Sequence, residues 1–220
     1  DPLQIVTSGL DLNYDAAADV TGDNAWDDSA GFASDINFAS AVAPVPVDTP
    51  TNPNLIAAYD IAVSGGASGL SGYFESNGPR STDDATFEVV FNVTDTDAGN
   101  DQVIFETGGA ARGVAFVLND DVLTFNVDGN GSDINFTTAI SAGWNHVVGV
   151  IEVDGGPDSV SLYLNNQFVG TLTNQNITDW AGGNNLGVGA GSSSVTGESS
   201  GVGNPIHGEI AVARYYADTA

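Results

Sequence analysis

Alternation of apolar and polar residues along short segments is the feature that most restricts how this chain can fold. In Ala85–Thr94, apolar side chains at every second position alternate with side chains that are mostly polar. A period of two places the two sets on opposite faces of a β-strand. Similar segments recur along the second half of the chain: Gln102–Glu106, Gly113–Leu118, Val122–Val127, His146–Val153, Val160–Leu164, Phe168–Leu172 and Ile206–Tyr216. This pattern predicts an all-β protein and favours a sandwich or a barrel.

Turn-forming residues separate these segments. Asn119–Asp121 and Asn165–Asn166 each lie between two strand-like segments, which predicts two hairpins. Four less regular segments are also candidate strands: Leu3–Val6, Leu10–Tyr14, Leu55–Val63 and Leu70–Glu75. We therefore expect roughly a dozen antiparallel strands.

Two segments are predicted to be loops. Ala41–Asn54 holds four prolines and therefore does not form a central strand, whereas Ser192–Asn204 is rich in glycine and serine. Neither segment marks a domain boundary, and a sandwich of 220 residues is an ordinary size for one all-β unit. We expect residues 1–220 to form a single domain. The chain begins without Met and without a signal-peptide pattern, so we interpret it as a mature segment or as a module excised from a larger secreted protein.

The charge balance excludes several kinds of partner. The chain has 29 acidic residues against three arginines and no lysine, for a formal net charge of −26. Such a surface repels the phosphates of nucleic acids and anionic lipid headgroups. No apolar run is long enough to insert in a membrane, and the absence of cysteine excludes thiolate nucleophiles and Cys-ligated metals.

Several motifs resemble the laminin-G-like, concanavalin A-like jelly-roll modules of bacterial extracellular proteins. The segment SAGWNHVVGV at Ser141–Val150 resembles the W-x-H-V motif of that family and the apolar strand that follows it. The other matching parts are the strand and turn at Leu162–Asn166, the short strand at Phe168–Gly170, the closing strand at Ile206–Tyr216 with its G-x-I-x-x-x-R-x-Y pattern, the opening strand at Asp11–Asp15, and a W-x-D-S loop at Trp26–Ser29. Asn166 occupies a turn position where the family has glycine, and asparagine tolerates the left-handed conformation there.

The resemblance implies an antiparallel β-sandwich of the concanavalin A-like jelly-roll type, secreted or exposed at a cell surface. It does not by itself imply one function, because this fold serves lectins, adhesion modules, glycosidases and lyases.

The catalytic patterns of the fold are missing. Glycosidases of this fold carry several carboxylates along one strand, but the only E-x-D here, Glu152–Asp154, is followed by Gly155 instead of a further acid. Lyases use a Q-x-H strand, which neither histidine matches. His146 belongs to the structural W-x-H-V motif, and His207 precedes the closing strand. We therefore predict a protein without catalytic residues.

Clusters of Asp and Asn favour calcium, whose hard oxygen ligands these residues supply. Three clusters are candidates: Asp95, Asp97, Asn100 and Asp101; Asp128, Asn130 and Asp133; and Asp19, Asp23, Asp27 and Asp28. Such runs also form ordinary turns, and a salt-adapted acidic surface is an equally simple explanation. Calcium is thus an expected cofactor, with the first cluster as the candidate site and the other two clusters as its alternatives.

Candidate ligand-binding residues combine aromatic rings with polar neighbours. Tyr73 lies beside Glu75 and Arg80, and Trp180 lies in a polar segment, although Trp180 also suits a position that caps the core. The leading hypothesis is a non-catalytic, calcium-assisted extracellular module that binds a polysaccharide or the glycan of a glycoprotein. The alternatives are an adhesive domain that binds proteins or itself, and a polysaccharide-degrading enzyme with an atypical site.

Overall fold

The computed structural model describes residues 8–19, 23–31, 35–38, 57–69, 83–96, 101–109, 112–129, 133–153, 156–177, 180–189 and 204–217. Within these ranges the secondary structure consists of β-strands and one helical turn. The strands are β1 Leu10–Asp15, β2 Ala25–Trp26, β3 Ile36–Phe38, β4 Tyr59–Asp60, β5 Ala67–Gly69, β6 Ala85–Val93, β7 Gln102–Gly109, β8 Arg112–Asn119, β9 Val122–Gly129, β10 Asp133–Ala139, β11 Gly143–Glu152, β12 Asp158–Leu164, β13 Gln167–Gln175, β14 Leu186–Val188, β15 Asn204–Pro205 and β16 Gly208–Ala217, and the helical turn is α1 Ile61–Ser64.

The strands form two sheets. Sheet A has the order β1-β16-β6-β11-β12-β13, with β4 beside β16. Sheet B has the order β10-β9-β8-β7-β14-β5-β3-β2, with β15 beside β7. Except for the parallel pair β15–β7, neighbouring strands run antiparallel. The first and last described strands are therefore neighbours, and β16 also lies next to β6, from the middle of the chain.

The inner faces of the two sheets pack against each other. The ring of Phe87 in β6 lies 5.6 Å from that of Phe105 in β7, which joins the sheets directly. Gly149 in β11 leaves room for the ring of Phe125 in β9, because a Cβ atom there would lie 2.5 Å from that ring. One apolar cluster extends from Leu12 to Tyr215. Burial of its rings supplies the main stabilisation, at about 1.5–3 kcal/mol for each large side chain.

The antiparallel β-sandwich expected from the sequence is confirmed, and so are the hairpins. Asp120 and Asp121 have φ values of 46° and 62°, and Asn165 and Asn166 have values of 53° and 62°. Two consecutive residues in the left-handed region make the tight turn that suits the twist of a hairpin. Asparagine at position 166 thus adopts the conformation for which the family uses glycine.

The expected strand at Leu55–Val63 is wrong over part of its length. Leu55 and Ile56 lie outside the described residues, Tyr59–Asp60 pairs with β16, and the chain then turns into α1. The Asp60 side chain accepts a hydrogen bond from the amide of Ala62, and Gly65 ends the turn in the left-handed conformation at φ 76°. A side-chain cap and a glycine stop therefore override the apolar pattern.

Other differences are omissions or lie outside the described ranges. The sequence patterns did not predict β2, β3, β5, β14 or β15, nor β10, whose Asp133 falls in a predicted turn cluster. The candidate strands Leu3–Val6 and Leu70–Glu75, the loop Ala41–Asn54 and all but Asn204 of the loop Ser192–Asn204 lie outside the described residues. The single domain over residues 1–220 stays a prediction. No helix in the described part of the chain is long and apolar enough to cross a membrane.

Candidate functional site

The first predicted calcium cluster is only partly described, because Asp97 and Asn100 lie outside the described residues. The two remaining aspartates contact neighbouring strands. The Asp95 carbonyl accepts a hydrogen bond from Gln102 Nε2 at 2.7 Å. The Asp101 carboxylate accepts one from the side-chain amide of Asn119. These contacts join the start of β7 to the end of β8.

A cleft of about 350 Å³ adjoins this loop at one end of the sandwich. Its walls include Ile61, Gln102 and His207. Both amide atoms of Gln102 already have partners, since Oε1 also accepts a hydrogen bond from the His207 amide at 2.7 Å. Gln102 is the one fully buried polar side chain that lines the cleft. Because both of its amide atoms are bonded, it offers no free hydrogen-bonding atom to a ligand there.

The second cluster joins β9 to β10. Asp128 and Asp133 are paired across the two strands, while Asn130 lies outside the described residues. Burial raises the pKa of Asp128, and the charge of Asp133 raises it further. The pair is thus a local concentration of negative charge.

In the third cluster, several carboxylates lie close enough to affect the pKa of Asp27. Burial raises the pKa of Asp27, and the charges of Asp19, Asp35 and Asp23 add to the increase. Asp19 is almost fully buried and accepts a hydrogen bond of 2.5 Å from the Tyr59 hydroxyl. Ionised carboxylates raise one another's pKa only when they lie close together.

Asp28 has a structural role beside this cluster. Its Oδ1 accepts hydrogen bonds from the amides of Asn13 at 2.8 Å and Ala30 at 3.0 Å. The neighbouring Ser29 hydroxyl bonds to the Asn13 carbonyl at 3.0 Å. The motif that resembles W-x-D-S therefore fastens its loop to β1. Across the described residues, no three carboxylate or imidazole groups are arranged to hold a metal ion.

The candidate ligand-binding residues are not brought together. Tyr73, Glu75 and Arg80 lie outside the described residues. Trp180 is fully buried, and its ring packs edge-on against Phe87 at 5.7 Å. A ring without exposed surface offers no face for a ligand, so the prediction of Trp180 as a ligand-binding residue is corrected. It occupies the core-capping position that was its alternative.

A site that the sequence analysis did not predict lies on the outer face of sheet A, the face turned away from sheet B. Strand pairing places one row of side chains across six strands of sheet A, from β1 to β13. In order, the row is Asn13, Arg214, Glu88, Val148, Tyr163 and Phe168. The residues on either side of each of the first five include core residues of the inner face, so these side chains point outward.

Glu88 is the centre of a polar network in this row. His146 Nε2 lies 2.9 Å from Glu88 Oε1, and the Tyr216 hydroxyl donates to Oε2 at 2.7 Å. Arg214 contacts the same oxygen at 3.4 Å. Burial opposes ionisation of Glu88, but the hydrogen bond from His146, the charge of Arg214 and the bond from Tyr216 outweigh it and lower its pKa to about 2. Glu88 is therefore a firmly ionised carboxylate.

Arg214 bonds to neighbouring side chains through all three of its guanidinium nitrogens. Its Nε donates to Asn13 Oδ1 at 2.7 Å, and its two terminal nitrogens contact Asp15 at 3.3 Å and Glu88 at 3.4 Å. Its side chain is only 9% exposed. Burial raises the pKa of the adjacent Tyr216, and the charge of Glu88 raises it further. The network thus holds two carboxylates and one guanidinium in fixed positions.

An exposed aromatic pair lies at the other end of the row. Tyr163 and Phe168 are 38% and 61% exposed, and their ring centroids are 5.3 Å apart with an angle of 52° between the planes. They face each other across β12 and β13. Because neighbouring strands lie about 5 Å apart, Tyr163 is roughly 10 Å from the Glu88 network.

The surroundings of this pair carry no charge. No Asp, Glu, Lys or Arg occurs between Asp158 and Asp179, although the chain as a whole has 29 acidic residues. Exposed hydroxyls line the strip instead, including those of Thr171 and Thr173. One signal was present in the sequence: Tyr163 falls on the polar phase of the VSLYL alternation, which places an aromatic ring outward.

Comparisons with known proteins agree with this fold. The binding domain of botulinum neurotoxin DC, in complex with rat synaptotagmin II, is 10% identical with a TM-score of 0.65, over 98% of this chain and 49% of that one. The Ruminococcus gnavus IT-sialidase CBM40 bound to alpha2,6 sialyllactose is 13% identical with a TM-score of 0.50, over 79% and 89%. This chain thus spans about half of the toxin domain, and both likenesses concern the fold alone. No curated protein matches it.

A family model described as Laminin_G_3, concanavalin A-like lectin/glucanases superfamily, matches residues 65–219. That range contains twelve of the sixteen strands, among them β6, β11 and β16, which carry the Glu88 network. The match covers most of the chain and agrees with the observed sandwich. This chain therefore belongs to the concanavalin A-like lectin/glucanase superfamily.

Proposed function

We propose that this chain is a non-catalytic carbohydrate-binding module of an extracellular protein, and that the outer face of sheet A binds the glycan. The observation that carries the proposal is the exposed pair of Tyr163 and Phe168 in an uncharged strip. Aromatic rings contribute large apolar contact area at little cost in side-chain entropy. Sugar rings present apolar C–H faces that stack on such side chains, while their hydroxyls bond to amides and hydroxyls.

The Glu88 network supports binding over catalysis. A general acid works best when its pKa lies near the pH of the reaction, whereas the pKa of Glu88 is about 2. Tyr216 is a poor base for the opposite reason, because its pKa is raised. Glu152, the acid of the only E-x-D pattern, accepts a hydrogen bond of 2.5 Å from the Ser159 hydroxyl at the start of β12. Among the described residues, the outer face therefore offers hydrogen-bonding partners but no matched pair of carboxylates for glycoside hydrolysis.

Self-association is the alternative that one observation favours. β13 is an edge strand with exposed Phe168, and exposed edges pair with other chains. However, pairing with β12 shifts register near Val169 and again near Asn174, which has φ 58°. Such irregularities interrupt a continuous edge. Light scattering distinguishes the two functions, since a lectin of this kind is expected to stay monomeric.

Removing the exposed ring is expected to abolish most of the binding. We expect Phe168→Ala to raise the dissociation constant for the glycan by about tenfold or more, which corresponds to about 1.4 kcal/mol of binding free energy. The stacking partner is lost while the fold stays intact, because Phe168 is the most exposed large apolar side chain described. A glycan array followed by titration calorimetry measures the effect.

Val122→Ala is the matched control, because Val122 is also an exposed apolar residue, 39% exposed, but it lies in sheet B. This variant is expected to bind like the unmodified protein. Failure of the unmodified protein to bind any neutral or acidic polysaccharide would contradict the proposal.

We propose further that calcium assists binding by neutralising the negative charge around Asp19, Asp23 and Asp27 without being coordinated by all three carboxylates, which are not arranged to hold one ion. The support is electrostatic: these carboxylates raise the pKa of Asp27, so their ionised forms repel one another at neutral pH. A cation that binds only the folded state would stabilise it by mass action. The other two Asx clusters stay predictions.

Asp27→Asn tests this calcium proposal. We expect the variant to unfold at higher temperature than the unmodified protein in EDTA, because it removes one of the repelling charges, and to gain less from added calcium. Differential scanning calorimetry with calcium, magnesium or EDTA measures both effects. Glu152→Gln, which removes the same charge from β11 instead, is the control, and an equal calcium response in both variants would oppose the proposal.

A further inference from the structure

We propose that the outer face of sheet A selects uncharged glycans as single chains and excludes anionic sugars and crystalline surfaces. This inference rests on the proposed carbohydrate-binding function and concerns the chemistry of the ligand. Three features carry it: the bonding of all three Arg214 nitrogens to neighbouring side chains, the distribution of charge around the aromatic pair, and the angle between the two rings.

The first feature is that each guanidinium nitrogen of Arg214, the cation described on this face, is already bonded to a neighbour. Recognition of a sugar carboxylate or sulfate needs a guanidinium with free nitrogens or a set of free N–H and O–H groups. Arg214 uses its Nε on Asn13 and its terminal nitrogens on Asp15 and Glu88. The nearby donors of His146 and Tyr216 also point to Glu88. An acidic sugar would have to displace Glu88 from partners that hold its pKa at about 2.

The second feature is the charge around the aromatic pair. Asp15 and Glu88 outnumber Arg214 on this face, and the net charge of the chain is −26. An anionic ligand that extends from the aromatic pair along the row is therefore repelled where it comes within about one Debye length of these carboxylates, roughly 8 Å at physiological ionic strength. The strip around Tyr163 and Phe168 itself carries no charge, so a neutral ligand meets no such penalty. Its exposed hydroxyls both donate and accept, as sugar hydroxyls do.

The third feature is the angle of 52° between the Tyr163 and Phe168 rings. A crystalline polysaccharide presents coplanar sugar faces, and a flat surface cannot lie against two rings inclined this steeply. A single chain twists about its glycosidic bonds, so successive sugars reach both rings. The register shift near Val169 contributes to the local twist of β13.

A pair of ligands that differ only in charge tests the inference. Oligogalacturonate and its fully methyl-esterified form share one backbone, and a panel of neutral hexasaccharides and sialyllactose extends the comparison. We expect at least one neutral oligosaccharide to bind, with affinity nearly equal at about 50 mM and about 500 mM NaCl, because screening does not affect an uncharged ligand. We expect anionic sugars to bind at least about tenfold more weakly, and crystalline cellulose and chitin not to retain the protein.

Glu88→Gln provides a second test that does not depend on finding the natural glycan. Removing the carboxylate that neutralises Arg214 is expected to raise the affinity for oligogalacturonate about threefold or more, relative to Glu152→Gln, which changes the net charge equally. Circular dichroism confirms that both variants are folded. Equal affinities of the two variants would show that Glu88 does not exclude anions and would overturn the inference.

The outcomes separate the inference from the function on which it rests. Tight binding of an anionic sugar that is lost in Phe168→Ala, or retention on crystalline cellulose, overturns the selectivity but keeps the carbohydrate-binding site. Absence of binding to every sugar, neutral or anionic, overturns both. Preferential binding of neutral chains that is lost in Phe168→Ala supports both.

Discussion

Gly208→Ala is expected to destabilise the protein by about 3 kcal/mol or more, which lowers the melting temperature by roughly 6–12 °C in a protein of this size. Gly208 begins β16 and is paired with Val93 of β6, next to the centre of sheet A. A Cβ atom at this position would lie 1.8 Å from the backbone oxygen of Asn92. Because the obstacle is backbone and not a flexible side chain, relief requires the two strands to separate.

The control for this substitution is Gly156→Ala. A Cβ atom on Gly156 meets nothing within 4 Å, and this glycine lies in the connection before β12. Urea unfolding of the two variants and the unmodified protein measures the difference. Similar midpoints for Gly208→Ala and Gly156→Ala would show that β16 and β6 are less closely paired than described.

Glu88→Gln is expected to lower the free energy of unfolding by about 3 kcal/mol at neutral pH, and this difference is expected to vanish on acidification. The pKa of Glu88 is about 2 in the folded protein, against an ordinary value of 4.5. A depressed pKa means that the folded state favours the ionised form, so the stabilisation is fully present above pH 4.5. It is lost as the pH falls from 4.5 through about 2, and the shift corresponds to the estimate of about 3 kcal/mol.

The comparison between Glu88→Gln and the unmodified protein isolates this effect from the rest of the acidic surface. Protonation of other carboxylates, such as Asp27 with its raised pKa, relieves repulsion and acts in the opposite direction. Those groups are common to both proteins and cancel in the difference. Urea unfolding at a series of pH values is expected to show the two proteins converging near pH 2. A difference that stays constant from pH 7 to pH 2 would mean that packing, and not the charge network, stabilises this face.

The strands were predictable where their signal was local. Alternation over Ala85–Thr94 corresponds to β6, and the Asx turns correspond to the hairpins with positive φ. Prediction of secondary structure failed where a contact between residues distant in sequence, or a helix cap, decided the local structure. Residues 61–64 look apolar enough for a strand, but the cap from Asp60 and the stop at Gly65 make a helical turn.

The candidate site was less predictable than the fold. Arg214 and His146 were correctly placed in strand motifs, but their shared partner Glu88 is distant from both in sequence. Trp180 looked equally suited to a ligand and to the core, and packing against Phe87 decided for the core. Residue type alone does not say which side of a loop faces the interior.

The amino-acid sequence by itself determined the strands with one apolar face, the tight Asx turns and the strongly acidic surface. The period of apolar residues, the chemistry of the turns and the charge are all local properties of the sequence. Only the tertiary structure decided which outward side chains meet. In sheet A, β16 lies between β1 and β6, so that Asn13 and Arg214 from opposite ends of the chain meet Glu88 from its middle. Long-range strand pairing therefore created the polar network and set it beside the uncharged aromatic pair, since strand order depends on how the whole core packs.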